Sequence, residues 1–318
     1  MTETVTAVTP EEPPKASRAG RNLSAAIIVG VGLLLILAVS LAFRPEPFVV
    51  LVAVIIGGGM WELRAALENA GLEIAIWPLL AGTVAMIIAA FLGGIEALLV
   101  IFVLTLLAVT VWQVALAILE RTPISAVNVL ASIFSAAYLP LMASFVVLLL
   151  NQPNGNWRVA LLVLLSVAND TGGYIAGVLF GKHPMAPSVS PKKSWEGFAG
   201  SIILTCAVAI IGSWLVLDLP FAAGSVAVGT NLHWFDMFWH NIFGSALWLG
   251  LILGVVATIT STLGDLSESL IKRDLGIKDM GNILPGHGGI MDRIDSIIFS
   301  APFVYVIMLL SLQYSFPV

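Results

Sequence analysis

The sequence predicts an all-α integral membrane protein: a polytopic bundle of about nine transmembrane helices with a cytoplasmic N-terminus. Three observations carry that prediction. Hydrophobic residues make up 59% of the chain and charged residues only 10%, where a soluble domain carries roughly 25% charged. Apolar runs of about 20 residues, enough to cross a ~30 Å hydrocarbon core, recur along the chain. Threading those runs through a membrane leaves nearly all the basic residues on one side. Mean hydropathy is +1.02, and the net charge of −5 decides little beside charge placement.

Residues 1–22, with Thr9-Pro-Glu-Glu-Pro-Pro-Lys15 among them, have the composition of a disordered cytoplasmic tail. Lys15, Arg18 and Arg21 precede the first span, Leu23–Phe43. Ala38-Val-Ser40 imitates a cleavage site, yet the run exceeds the roughly 7–15 residues of a signal-peptide core, so a retained span is expected. Further spans are expected at 47–67, 74–93, 95–118, 126–150, 157–180, 198–217, 243–268 and 294–314. Arg44-Pro-Glu-Pro47, Gly93-Gly94, Glu120-Arg-Thr-Pro123 and Asn151-Gln-Pro-Asn-Gly-Asn156 punctuate them. With the N-terminus inside, only Arg44 and Arg158 among the 14 Lys and Arg fall outside. The expected organisation is helices 1–5 over 23–150 and a catalytic region with helices 6–9 over 151–318, in the plasma membrane.

The single cysteine, Cys206, excludes an intrachain disulfide and reads as a buried small hydrophobe. Trp234, Phe235, Phe238 and Trp239 suit a short interfacial helix after span 7. His233 and His240 nearby lack the partners of a metal site. Neither an internal repeat nor paired interrupted spans of the transporter kind is present.

Polar residues gather at one end of the last four spans. Asp170 stands inside span 6, where a carboxylate is costly and by default functional; a structural bond to a neighbouring helix is the alternative. Tyr174 lies one turn away on the same face. Gly173, Gly177 and Gly181 make a smooth face for close helix packing. Ser190-Pro-Lys192-Lys193-Ser194-Trp-Glu196-Gly197 enters span 7, with Ser194 suited to a helix start that favours an anion. The lysines bind phosphate there, or merely anchor the helix beside anionic lipid. Span 8 ends with Asp265, Ser269 and Lys272 on one helical face and Glu268 beside it.

Span 9 begins with Asp292-Arg293-Ile-Asp295, both carboxylates on one face. The intervening Pro285-Gly-His287-Gly288-Gly289 supplies freedom for a chain reversal and for close approach to phosphate oxygens. The topology brings Asp170, Asp265 and Asp292 to the same membrane surface. Hard oxygen ligands without a cysteine or histidine cluster favour Mg²⁺ over Zn²⁺. Carboxylates for metal beside cations for phosphate are the parts of phosphoryl or nucleotidyl transfer.

Ser269-x-Ile-Lys272-Arg273-x4-Lys278-Asp279-x-Gly281-x2-Leu284-Pro285-x-His287-Gly288-Gly289-Ile-x-Asp292-Arg293-Ile-Asp295 resembles the signature of the phosphatidate cytidylyltransferases, or CDP-diacylglycerol synthases. Asn169-Asp170-Thr-Gly-Gly-Tyr174 and the Ser190–Gly197 segment are also similar to that family, with Ser194 where its threonine is usual. The motif-bearing resemblance spans roughly 157–300 and reaches spans 1–5 only as apolar helices.

The resemblance implies transfer of CMP from CTP to phosphatidate, with a metal centre on Asp265 and Asp292. It implies Mg²⁺ there, and a second cation, K⁺ or Mg²⁺. Lys272, Arg273, Lys278, Asp279, His287 and Arg293 are then candidate catalytic residues, His287 orienting a phosphate or capping a turn. Asp170, Ser190, Lys192, Lys193, Ser194, Glu196, Ser269, Gly288, Gly289 and Asp295 are candidates for binding substrate. CTP and membrane phosphatidate are the expected partners, nucleic acid is not, and the glycine faces allow a homodimer without requiring one. The rivals are the same chemistry on another lipid phosphate or lipid alcohol, and an ion-coupled transporter.

Overall fold

A computed structural model describes residues 32, 35–42, 44–121, 123–217, 219, 239, 242–243, 245–281 and 288–315. The tail, most of the first span, the expected interfacial helix apart from Trp239, His233, His240 and the Pro285–His287 turn lie outside the described residues. Seven helices among them are long and apolar enough to cross a membrane.

Helix α1 is Pro45–Asn69, opened by a proline at its first position, where the missing N–H would have no helical partner. Helix α2 runs Ile76–Glu120, 45 residues. At 1.5 Å per residue that is roughly 68 Å, twice a hydrocarbon core, and the chain resolves the excess by folding back. Gly94 leaves helical geometry at φ 67°, ψ −158°, a conformation open to glycine alone. A Cβ on Gly82 would strike the Thr105 side chain, and Gln113 Nε2 donates to the Glu73 carbonyl at 2.9 Å. Residues at nearly equal distances on either side of Gly94 therefore meet, and the two legs form the antiparallel hairpin that the Gly93-Gly94 punctuation predicts.

Helix α3, Ala126–Leu150, starts at Ser125, whose hydroxyl accepts the Asn128 N–H. It widens into a π-turn at Ala137–Leu141 around Pro140, which has no N–H to donate to the ladder. Helix α4 is Gly155–Phe180. A two-stranded antiparallel hairpin follows, β1 Pro184–Ala186 and β2 Ser190–Ser194, an addition to the expected all-helical chain. Helices α5 (Trp195–Val216), α6 (Ala246–Asp274) and α7 (Met291–Ser315) complete the bundle.

Helices α4 to α7 pack in sequence, α1 to α3 pack against one another, and α3 against α7 joins the two groups. Met60, Leu79, Leu139, Leu161 and Leu249 are fully buried between them. Large apolar side chains such as Leu92, Leu119 and Val178 stay exposed, as a lipid-facing exterior requires.

Polar contacts sort the bundle by its ends. Arg158 bonds Met308, Asn156 bonds Leu41 and Asn151 bonds Phe91 through their carbonyls at one end. The expected site residues collect at the other.

Candidate active site

Close packing between α4 and α5 builds the first wall. A Cβ on Gly172 would lie 2.6 Å from the Gly200 carbonyl oxygen, and one on Gly173 2.8 Å from Ser201 Oγ. The expected glycine face thus meets α5 of the same chain almost backbone to backbone. Ser201 Oγ donates to the Asn169 carbonyl at 2.6 Å, and Asn169 Nδ2 donates to Asp170 Oδ1 at 3.2 Å. The seam leaves a cleft of ≈ 210 Å³ at the surface, lined by Asp170, Tyr174, Lys192, Lys193, Ser194 and Asp265 among others. Ser194 caps α5 as expected, accepting the Gly197 N–H at 3.1 Å.

An acidic centre forms where α6 meets α7. Gly264 admits the α7 backbone: a Cβ there would be 2.8 Å from the Asp295 carbonyl oxygen. Asp265, Glu268 and Asp295 consequently hold carboxylate oxygens within 4.8 Å of one another. Two unit charges at such a distance repel by roughly 3 kcal/mol at an effective dielectric constant of about 20. Lysines relieve part of this. Lys193 from β2 pairs with Asp265, and Lys272 reaches Glu268 at 3.3 Å and Asp292 at 2.8 Å. Glu268 Oε1 remains buried without a hydrogen-bond partner. An orphaned carboxylate oxygen among hard oxygen donors fits a divalent cation.

Asp292 is held differently. Its Oδ1 takes Lys272 and its Oδ2 accepts two backbone N–H groups, from Gly289 at 2.8 Å and Met280 at 3.2 Å. Gly288 turns the chain there at φ 84°, in the left-handed region that favours glycine. Lysine 272 is the link between Asp292 and the acidic centre, so the structure gathers Asp265 with Glu268 and Asp295, and Asp292 one lysine away.

The remaining candidates divide. Lys192 is exposed and lines the cleft. Lys278 and Asp279 are exposed where the loop leaves α6, with Gly288 turning beside Asp279. Arg273 Nε donates to the Val189 carbonyl at 3.4 Å, drawing the hairpin toward α6. Arg293 is exposed at the start of α7, and Ser269 is half-buried on α6. Glu196 accepts the N–H groups of Lys182 and His183 and the His183 ring, at 3.1, 3.2 and 2.5 Å; it closes the β-hairpin. Ser190 opens β2, and neither it nor Glu196 lines the cleft.

Three residues not singled out as site residues belong to this region. Glu268 showed its signal as the neighbour of Lys272 on the α6 face. Tyr138 sits on the π-turn, with its hydroxyl buried, unpartnered and in the field of Asp295, Glu268 and Asp265. Only the proline in an apolar span hinted at it. Glu62 on α1 accepts the Met291 N–H at 3.1 Å; a charge inside an apolar run was its signal.

A family model described as "Cytidylyltransferase family" matches residues 24–311. The chain belongs to the cytidylyltransferase family. Relatives named phosphatidate cytidylyltransferase include one from Mycobacterium leprae, 39% identical over 307 residues, covering 92% of this chain and 89% of the relative. One from Mycobacterium bovis is 37% identical over 305 residues, 93% and 91% of the two chains. One from Haemophilus influenzae is 36% identical over 150 residues, 47% and 45% of the two chains. The family match takes in helices α1 to α3, well beyond the signature segments.

Proposed function

We propose that this protein transfers CMP from CTP to phosphatidate, forming CDP-diacylglycerol and pyrophosphate for phospholipid synthesis. The observation that carries this reading is the meeting of the Asp265–Glu268–Asp295 centre with Lys193 and Lys272 beside a surface cleft, in a cytidylyltransferase-family chain. Phosphatidate is a phosphate monoester with a second pKa near ~6, so its oxygen is already a nucleophile at neutral pH. That oxygen attacks the α-phosphorus of CTP. A new P–O bond forms, the α–β anhydride bond breaks, and its electron pair leaves on pyrophosphate. No residue need remove a proton, and the site's work is positioning and charge stabilisation.

Asp265 and Asp292, with Glu268 and Asp295, are the residues that would hold Mg²⁺ and a second cation, K⁺ or Mg²⁺. Bound Mg²⁺ supplies Lewis-acid polarisation of the phosphates and neutralises developing charge. Lys192 and Lys193 face the cleft for the triphosphate, with Lys272, Arg273, Lys278 and Arg293 as further phosphate cations. Asp170 and Ser194 shape the cleft wall.

In the membrane this reading has nine crossings, a cytoplasmic N-terminus and the site facing the cytoplasm at the inner membrane. The positive-inside distribution and the two-legged α2 support that arrangement. The deciding experiment incubates the purified full chain in detergent with CTP, phosphatidate and Mg²⁺, following CDP-diacylglycerol and pyrophosphate. Product that disappears with EDTA and returns with Mg²⁺ is expected; no product from CTP or any other nucleotide overturns the proposal.

A further inference from the structure

Glu62 is a carboxylate in an apolar helix, 3% exposed, in the half of the chain whose sequence carries no signature. Its Oε2 accepts the N–H of Met291 at 3.1 Å, across 229 positions. Met291 is the first residue of α7, where N–H groups lack helical partners and the positive end of the dipole favours an anion. A side chain from α1 therefore caps α7 one residue before Asp292.

Gly281 and Gly289, two described residues between α6 and α7, lie against this carboxylate. A Cβ on Gly289 would lie 2.7 Å from Glu62 Oε2 and 3.0 Å from Asp292 Oδ2. A Cβ on Gly281 would collide with the Glu62 carboxylate itself. A Cβ on Gly58, about one helical turn before Glu62, would sit 2.7 Å from Ile290 Cδ1, so α1 also contacts the residue just before Met291. The Gly289 backbone passes between two carboxylates, one from each half of the chain. Ordinary core packing does not explain the second oxygen, Oε1, which is buried without a hydrogen-bond partner.

We propose that Glu62 is a positioning residue for the reaction. It fixes the start of α7 and the backbone at Gly281 and Gly289 from the α1 side, so that Asp292 faces Lys272 and the acidic centre. Its kinetic consequence rests on the proposed transfer of CMP; its effect on the loop does not. The N-terminal helices thereby contribute to catalysis without touching substrate.

The test uses the full chain in detergent, as wild type, Glu62→Gln and Glu62→Ala. Amide hydrogen exchange over 279–292 is compared with exchange in α4 and α5, beside kcat and KM for CTP. Glu62→Ala should lower kcat on the order of 10- to 100-fold, the loss expected when a buried N–H is left unpaired. KM should stay within about threefold, and exchange should rise at 288–292 while α4 and α5 keep wild-type rates. Glu62→Gln, which retains an oxygen for the Met291 N–H, should recover most of kcat and raise exchange at Met291 by only a few-fold.

Unchanged kcat in Glu62→Ala, equal losses in both variants, or exchange rising evenly across the bundle would overturn the role. Should Glu62→Ala not fold, Glu62→Gln decides: a rise confined to 288–292 supports the role, and none removes it. A wild type that makes no CDP-diacylglycerol defeats the proposed reaction while the exchange comparison still judges Glu62.

Discussion

Asp265 projects from the interior of α6 and meets one lysine on a neighbouring hairpin, whereas Asp292 opens α7 and is gripped by backbone. Between Asp265 and Lys193 the side chains are 36% and 25% exposed; Asp292 and Lys272 are 9% and 15% exposed. One carboxylate is held by a single lysine side chain at an open cleft. The other is set by two N–H groups, a half-buried lysine and, through Met291, by Glu62. The difference separates a group free to exchange partners when ligands arrive from a group whose geometry is preset. Both kinds are needed where catalysis is positioning plus charge.

The largest effect expected is on Asp265→Asn and Asp292→Asn, each losing on the order of 10²–10³-fold or more in CDP-diacylglycerol formation. If either retained near-wild-type turnover, that carboxylate would leave the proposed metal centre. Gly289→Ala is expected next. Its Cβ would press on both Glu62 and Asp292, and overpacking of this kind costs about 1–3 kcal/mol. A fall in turnover with a lower thermal midpoint is the expected result. Gly264→Ala should do the same from the other side, by prising α7 off α6 at Asp295.

The two lysines sharpen the contrast in stability. Lys272→Ala leaves Glu268 and Asp292 without their shared cation, and removing one partner of a buried pair costs about 3–5 kcal/mol; partial exposure puts this pair at the lower end. Lys193→Ala removes a more open, partly exposed pair, worth roughly 1 kcal/mol by the measure of surface ion pairs. Thermal unfolding should therefore shift clearly for Lys272→Ala and little for Lys193→Ala, while KM for CTP rises in the latter. The smallest effect belongs to Glu196→Gln, which loosens the β-hairpin rather than the cleft; activity within a few-fold of wild type is expected. A large loss would bring Glu196 into substrate binding after all.

Much of this arrangement was legible in residue spacing. Lys272 pairs with Glu268 because residues four apart on a helix share a face, and Ser194 caps α5 because its hydroxyl reaches a free N–H three residues on. The glycine spacing of α4 foretold a close seam, though not that α5 would be its partner. Glu196 went the other way. Its place among substrate-binding candidates came with its motif, but its oxygens are spent on Lys182 and His183.

The sequence by itself determined the membrane-spanning helices, the return of α2 at Gly94 and the gathering of charge at one end. Each of these depends on local composition or on periodicity along one segment. Tertiary structure alone decided that Asp265 joins Glu268 and Asp295 while Asp292 stands one lysine away. It alone brought Glu62 and Tyr138 from the first half to the second. Those outcomes depend on which segments approach within contact distance, at Gly264 and Gly289, and no periodicity within one segment encodes the identity of its neighbour.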